Sequence, residues 1–102
     1  MAIREGTTPT HTFVLPFSTD VLKCVRIVYA QCNEVLFVRT NGDVTLEGNI
    51  VKTTLTQEET FMFDRTKLVE IQIRALTYDD DALASEPILV SVAKCLEKEV
   101  LV

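Results

Sequence analysis

The segment Leu68-Val-Glu-Ile-Gln-Ile-Arg-Ala-Leu-Thr77 carries the clearest alternation of apolar and polar residues in the chain. Val69, Ile71 and Ile73 lie on one side of a pleat with a period of two, whereas the polar residues 70, 72 and 74 lie on the other. This alternation is typical of a strand with one buried face and one wetter face. The sequence therefore predicts that residues 68–77 form the central strand of the fold.

Six other segments have the composition of strands and are separated by turn residues. They are residues 10–15, 21–31, 35–40, 43–46, 50–55 and 83–93. Asn41-Gly42 is the strongest hairpin signal, because both residues tolerate the positive φ that a type I′ turn requires. Gly48-Asn49 predicts a second turn, and Pro87 predicts an edge position or a bulge in the last strand.

A single helical turn is indicated between the strand at residues 50–55 and the central strand at residues 68–77. Thr56-Gln57-Glu58-Glu59 has the spacing of a capping box, in which the Thr56 hydroxyl and the Glu59 carboxylate each bind the other residue's amide. Asp64-Arg65-Thr66 ends the helix within about two turns, so it depends on packing for its stability. Its predicted role is a crossover between two sheets.

The fold class follows from seven short strands, frequent turns and one helical turn. The sequence predicts an all-β protein, an immunoglobulin-like β-sandwich of about seven antiparallel strands with one short helical crossover. A small closed barrel of the same strands is the alternative. The 102 residues are expected to form one domain, with residues 1–9 as an N-terminal arm and residues 94–102 as a C-terminal tail.

Charge and hydropathy argue against two classes of partner. The net charge is −5, and residues 52–102 hold six Lys and Arg against ten Asp and Glu. Nucleic-acid binding needs clustered cations on one face, so it is not expected. No apolar run approaches the ~20 residues that span a bilayer, and the N-terminus lacks the apolar centre of a signal peptide. The chain is therefore expected to be made and kept in the cytoplasm.

Catalytic chemistry has few candidate residues. His11 is the only histidine, so any Ser-His-Asp or Cys-His arrangement must include it, and a solvent-facing position on an edge strand is expected for it. Cys24, Cys32 and Cys95 lack the spacing of a zinc site or a disulfide framework, which predicts reduced and mostly buried thiols. No glycine-rich phosphate loop is present. We therefore expect no enzymatic activity and no cofactor.

Asp79, Asp80 and Asp81 offer carboxylate oxygens of the kind that Ca²⁺ prefers. Consecutive residues rarely converge on one ion, and the alternating spacing of a calcium-binding loop is missing. A solvated acidic hairpin tip is therefore expected, and binding of an ion is left open.

Two segments predict contact with another chain. Residues 35–38 are apolar on both sides of a predicted strand, and the tail ends on three apolar residues. Exposed apolar edges and termini favour strand addition and oligomerisation. The predicted interface residues are Val35, Phe37, Val100, Leu101 and Val102, and the expected working state is a homo-oligomer.

Several runs of the sequence together resemble a group of viral proteins. They are Asp43–Asn49, Leu55–Thr60, Val69–Arg74, Ala82–Ser85 and Val90–Val92. From Pro9 onward the chain is similar to small proteins encoded in phage and prophage structural regions of gut Firmicutes. Residues 43–92 also resemble the N-terminal β-sandwich domain of phage baseplate upper proteins. The chain departs from these relatives at residues 79–81, where they tend to show Asp-Gly, so the turn type there is open.

The resemblance implies a virion component, a capsid, neck or tail accessory module that packs against its neighbours. Its partners would be other virion proteins or further copies of itself. It would reside in the host cytoplasm during assembly and then in the virion. The alternative hypothesis is a carbohydrate- or cell-surface-binding adhesion module, which the absence of Trp disfavours. An enzyme is the third and remotest hypothesis.

Overall fold

The protein folds into two β-sheets, and a short α-helix forms one of the connections between them. The computed structural model describes residues 2–97 and 99–102. Within these residues the strands are β1 (Ala2–Arg4), β2 (Thr10–Val14), β3 (Leu22–Gln31), β4 (Glu34–Arg39), β5 (Thr45–Glu47), β6 (Ile50–Thr54), β7 (Val69–Thr77), β8 (Ala82–Ala84) and β9 (Ile88–Ala93). The helix α1 (Gln57–Phe61) connects β6 to β7.

The large sheet has the strand order β1-β9-β7-β3-β4, with β8 beside β7, and the small sheet has the order β2-β6-β5. Neighbouring strands are antiparallel, except that β1 runs parallel to β9. Buried residues of the two sheets, among them Val51 of β6 and Ile27 of β3, form one hydrophobic core. The all-β sandwich that the sequence predicts is thereby confirmed.

The central strand β7 supplies the core as its alternation predicts. Val69, Ile71 and Ile73 are buried, whereas Arg74 is exposed. β3 pairs with β7 over its length and places Ile27 opposite Ile73. Because opposite residues in a ladder share a face, the two longest strands present one continuous apolar surface to the small sheet.

The helical crossover also lies where the sequence predicts it. The Thr56 hydroxyl accepts a hydrogen bond from the Glu59 amide, and the Thr56 amide donates to the Glu59 carboxylate at 2.9 Å. Gly6 has a φ of +76°, and the ring of Phe61 lies so close that a Cβ on Gly6 would be 2.8 Å from its Cζ. This approach packs the N-terminal segment against α1.

One predicted turn is wrong. Residues Asn41–Asp43 form a 3₁₀ turn between β4 of the large sheet and β5 of the small sheet, not a type I′ hairpin. The Asn41 side-chain oxygen accepts a hydrogen bond from the Val25 amide at 2.7 Å. The Asp43 carboxylate accepts one from the Thr40 amide. These contacts direct the chain from one sheet to the other, and Gly42 does not adopt a positive φ.

The tight turn between β3 and β4 is instead formed by Cys32 and Asn33. Their φ angles are 49° and 65°, and Gln31 is paired with Glu34 across the turn. Two central residues with positive φ are typical of type I′. The predicted turn at Gly48-Asn49 does connect β5 to β6, and Gly48 has a φ of +57°.

Residues at both ends of the chain pack against the domain. Ala2–Arg4, which the sequence assigns to an N-terminal arm, forms a strand at the edge of the large sheet, and Ile3 is buried. The buried Glu5 carboxylate accepts a hydrogen bond from the Cys95 amide at 3.1 Å. In the tail, the Leu101 amide and carbonyl bind the side-chain amide of Gln57.

Candidate functional site

His11 is buried between the two sheets, although the sequence predicts a solvent-facing side chain. It does lie on an edge strand, β2, but its side chain is only 4% exposed because odd-numbered residues of β2 face the core. Its Nδ1 lies 2.7 Å from the hydroxyl of Tyr29, and the two rings are stacked. Burial lowers the pKa of His11 and raises the pKa of Tyr29, so both groups are held neutral.

An ion pair lies at the rim of the same region. Arg39 of β4 binds the carboxylate of Glu59 in α1 and donates from Nε to the Thr53 hydroxyl at 3.2 Å. Its guanidinium also lies over the ring of Phe37, 5.5 Å from the ring centroid. Phe37 in turn stacks on Tyr29. The cluster therefore ties the large sheet to β6 and α1.

This polar cluster has the properties of a structural link. In the described residues, every buried side-chain nitrogen and oxygen has a hydrogen-bond partner. Neither of the two cavities described below is lined by His11, Tyr29 or Arg39. His11 is thus a buried, neutral side chain that is bonded to Tyr29 and lies outside both cavities.

The residues considered as metal ligands are dispersed. Within residues 2–97 and 99–102, no three His, Cys, Asp or Glu side chains are grouped so that they could hold a metal ion. Asp79, Asp80 and Asp81 lie in the connection between β7 and β8, where Asp80 adopts a φ of 64° and its amide binds the Thr77 carbonyl. The acidic segment is thus a hairpin tip whose turn is held by backbone hydrogen bonds.

The three cysteines are free, and none is buried, contrary to the sequence prediction. Cys24 and Cys95 are half-buried, and Cys32 is exposed in the tight turn between β3 and β4. The positive φ of Cys32 explains its position, because the turn places that residue at the outermost point of the hairpin.

The predicted interface residues differ in how far they are exposed. Val35 is exposed on β4, but Phe37 faces the core, where it stacks on Tyr29. Leu101 and Val102 are exposed in the tail, and Val100 is half-buried. Phe37 is thus partly buried against the core, and Val35, Leu101 and Val102 are the most exposed residues of the predicted set.

The sandwich is open along one side, a feature that the sequence pattern does not predict. Two cavities of about 280 Å³ and about 260 Å³ adjoin there and share Leu15, Ile73 and Ser85. We call them together the apolar groove. From the small sheet and the segment after β2, the groove is lined by Thr12, Phe13, Val14, Leu15, Phe17 and Val51. From the large sheet it is lined by Val25, Ala75, Leu83 and Ile88, and no lining residue is charged.

Large apolar side chains are exposed at the mouth of the groove. Val14 is 71% exposed, Leu83 is 40% exposed and Ile88 is 46% exposed. They belong to β2, β8 and β9, so the rim combines strands of both sheets. The split between β8 and β9 at Ser85-Glu86-Pro87 contributes to the opening. Pro87 is the one sequence signal for the groove, because it predicts the interruption.

Comparison with known proteins does not assign the chain to a family. No protein-family model matches the chain, and no curated protein matches it. In the described part of the chain, no helix is long and apolar enough to cross a membrane.

Proposed function

We propose that the protein is a non-enzymatic assembly module that works by packing against other protein chains, including further copies of itself. The observation that carries this proposal is the apolar groove with its exposed apolar rim. Burying an apolar side chain that is exposed in the free protein is favourable by about 1.5–3 kcal/mol for Val, Leu or Ile. Three such side chains surrounding an uncharged groove favour a protein partner.

The chemistry of the groove supports a role without catalysis. Its polar side chains are Thr12 and Ser85 alone, and the Ser85 hydroxyl accepts a hydrogen bond from the Ile73 amide. No base or acid lines the groove to activate either hydroxyl. The one histidine of the chain is bonded to Tyr29 in the core.

The resemblance to proteins of phage structural regions is consistent with this role. A virion protein acts by packing against its neighbours, and such a protein would be present in the host cytoplasm during assembly and later in the particle. The adhesion alternative requires exposed aromatic rings that stack on sugars. Among the aromatic residues that the structure describes, Tyr78 alone is exposed, which favours the assembly role.

Size-exclusion chromatography with multi-angle light scattering tests the proposal. The free chain has a mass of 11.5 kDa. The expected result is a mass above that of the monomer which rises as the loading concentration increases from micromolar to millimolar. A constant monomer mass over this range would contradict self-association.

A further inference from the structure

The strand β2 leaves one edge unpaired beside the apolar groove. In the described residues its neighbour in the small sheet is β6. The Leu15 amide donates to the Asn49 carbonyl at 2.8 Å, and the Leu55 amide donates to the Pro9 carbonyl at 3.0 Å. Odd-numbered residues thus direct their backbone groups toward β6. By alternation, the amides and carbonyls of Thr10, Thr12 and Val14 point away from the sheet.

The other strands at sheet edges have features that oppose pairing with a further strand. β1, β5 and β8 are three residues long, and Pro87 follows shortly after β8. β4 is longer, but it carries Glu34 and Arg39, and a bulge interrupts its pairing with β3. Short length, charge, proline and bulges are the usual protections of edge strands.

Within its own residues β2 has none of these protections, because Pro9 and Pro16 both lie outside the paired strand. It is five residues long, Thr10-His-Thr-Phe-Val14, and pairs with β6 in an unbroken register. It carries no acidic or basic side chain apart from His11, which is neutral in the core. Its outward side chains include the exposed Val14. An uncharged, regular edge strand of this length is a template for another strand.

We propose that β2 pairs with β2 of a second copy, giving a two-fold dimer with a continuous six-stranded sheet. This inference rests on the proposed function and specifies its partner. In antiparallel pairing, Thr12 lies opposite Thr12 of the second copy, and Thr10 lies opposite Val14 of the second copy. The same backbone groups point outward on both chains, so the interface is self-complementary.

The dimer also accounts for the apolar rim. The groove opens beside the same edge of β2, because Thr12 and Val14 line it. Pairing two copies along that edge brings their two open sides together. The exposed Val14, Leu83 and Ile88 of each copy are then next to the second copy, and their burial adds to the backbone hydrogen bonds.

Two substitutions at the centre of the interface test the dimer by light scattering. Thr12→Pro removes the Thr12 amide hydrogen, which points away from β6 and makes no hydrogen bond with it. The hydrogen bonds between β2 and β6 within the monomer are therefore kept. Two symmetry-related hydrogen bonds are lost, and the dissociation constant is expected to rise by about tenfold or more. Thr12→Lys keeps the amide but places two like charges opposite each other across the two-fold axis, and it is expected to produce a monomer.

Thr45→Lys is the matched control. Thr45 is exposed on β5, at the opposite edge of the small sheet, and it lies opposite Lys52 as Thr12 does, so the substitution adds the same charge next to the same lysine. Circular dichroism checks that all variants are folded. We expect dimers for the wild type and Thr45→Lys, a weakened dimer for Thr12→Pro and a monomer for Thr12→Lys.

The outcomes separate this inference from the proposed function. A dissociation constant that is unchanged from the wild type in folded Thr12→Pro and Thr12→Lys would overturn pairing through β2, while self-association itself would stand. A wild-type protein that is monomeric at every concentration would overturn both. Dissociation of Thr45→Lys as readily as Thr12→Lys would assign the effect to charge alone and would also overturn pairing through β2.

Discussion

Replacing His11 with glutamine should change how the stability of the protein depends on pH. Burial lowers the pKa of His11 from its ordinary value of 6.5, so the folded protein keeps the imidazole neutral where the unfolded chain binds a proton. The unfolded state therefore takes up more protons below pH 6.5. By linkage, the free energy of unfolding falls as the pH falls through and below this value, and it is fully retained above it.

The size of the effect follows from the unfolded pKa. If the imidazole stays neutral in the folded state throughout, lowering the pH from 7.5 to 5.5 removes at most about 1.4 kcal/mol through this one group. The His11→Gln variant has no imidazole and retains an amide that can bind the Tyr29 hydroxyl. The carboxylates titrate alike in both proteins, so the difference between their pH profiles isolates His11.

Urea denaturation at a series of pH values measures both profiles. The wild type is expected to lose more stability than His11→Gln between pH 7.5 and 5.5. Parallel profiles would show that His11 is equally protonated in the folded and unfolded states. A wild type that gains stability relative to the variant on acidification would refute the buried, neutral assignment outright.

Two pairs of backbone variants test the turns and the N-terminal packing. Gly6→Ala should cost about 2–4 kcal/mol, since it adds a clash with Phe61 to the penalty of a left-handed φ, whereas Gly48→Ala should cost only the backbone penalty of about 1–2 kcal/mol. Thermal unfolding measures the difference, and equal losses would contradict the close approach. Asp80→Gly should stabilise the protein by about 0.5 kcal/mol because Asp80 has a positive φ. Asp79→Gly, at a residue without a positive φ, should destabilise it, and the same sign for both would contradict the turn geometry.

The buried residues of the central strand and the start of the helical crossover can be predicted from the sequence, because both depend on local patterns. Alternation along residues 68–77 predicts which side chains of β7 are buried, and the structure buries Val69, Ile71 and Ile73. The Thr56 and Glu59 spacing predicts the start of α1 for the same reason, since a capping box involves residues within one turn.

Features that depend on distant contacts are not predictable in this way. Asn41-Gly42 has the composition of a type I′ turn, but the Asn41 side chain binds the Val25 amide of β3. A local sequence pattern does not predict a contact between residues so far apart. The burial of His11 requires Tyr29 on a strand of the other sheet. The apolar groove forms because β2 of the small sheet lies next to β8 and β9 of the large sheet, and the pattern within a single strand does not predict that arrangement.

Amide hydrogen exchange at low and high protein concentration tests the assembly account most directly. Pairing of β2 with a second copy predicts that the amides of Thr10, Thr12 and Val14 exchange more slowly at millimolar than at micromolar concentration. Leu46 lies between Thr45 and Glu47 on β5 at the opposite edge of the same sheet, and its amide should exchange at the same rate in both samples. Unchanged exchange of the three β2 amides at millimolar concentration would contradict the account.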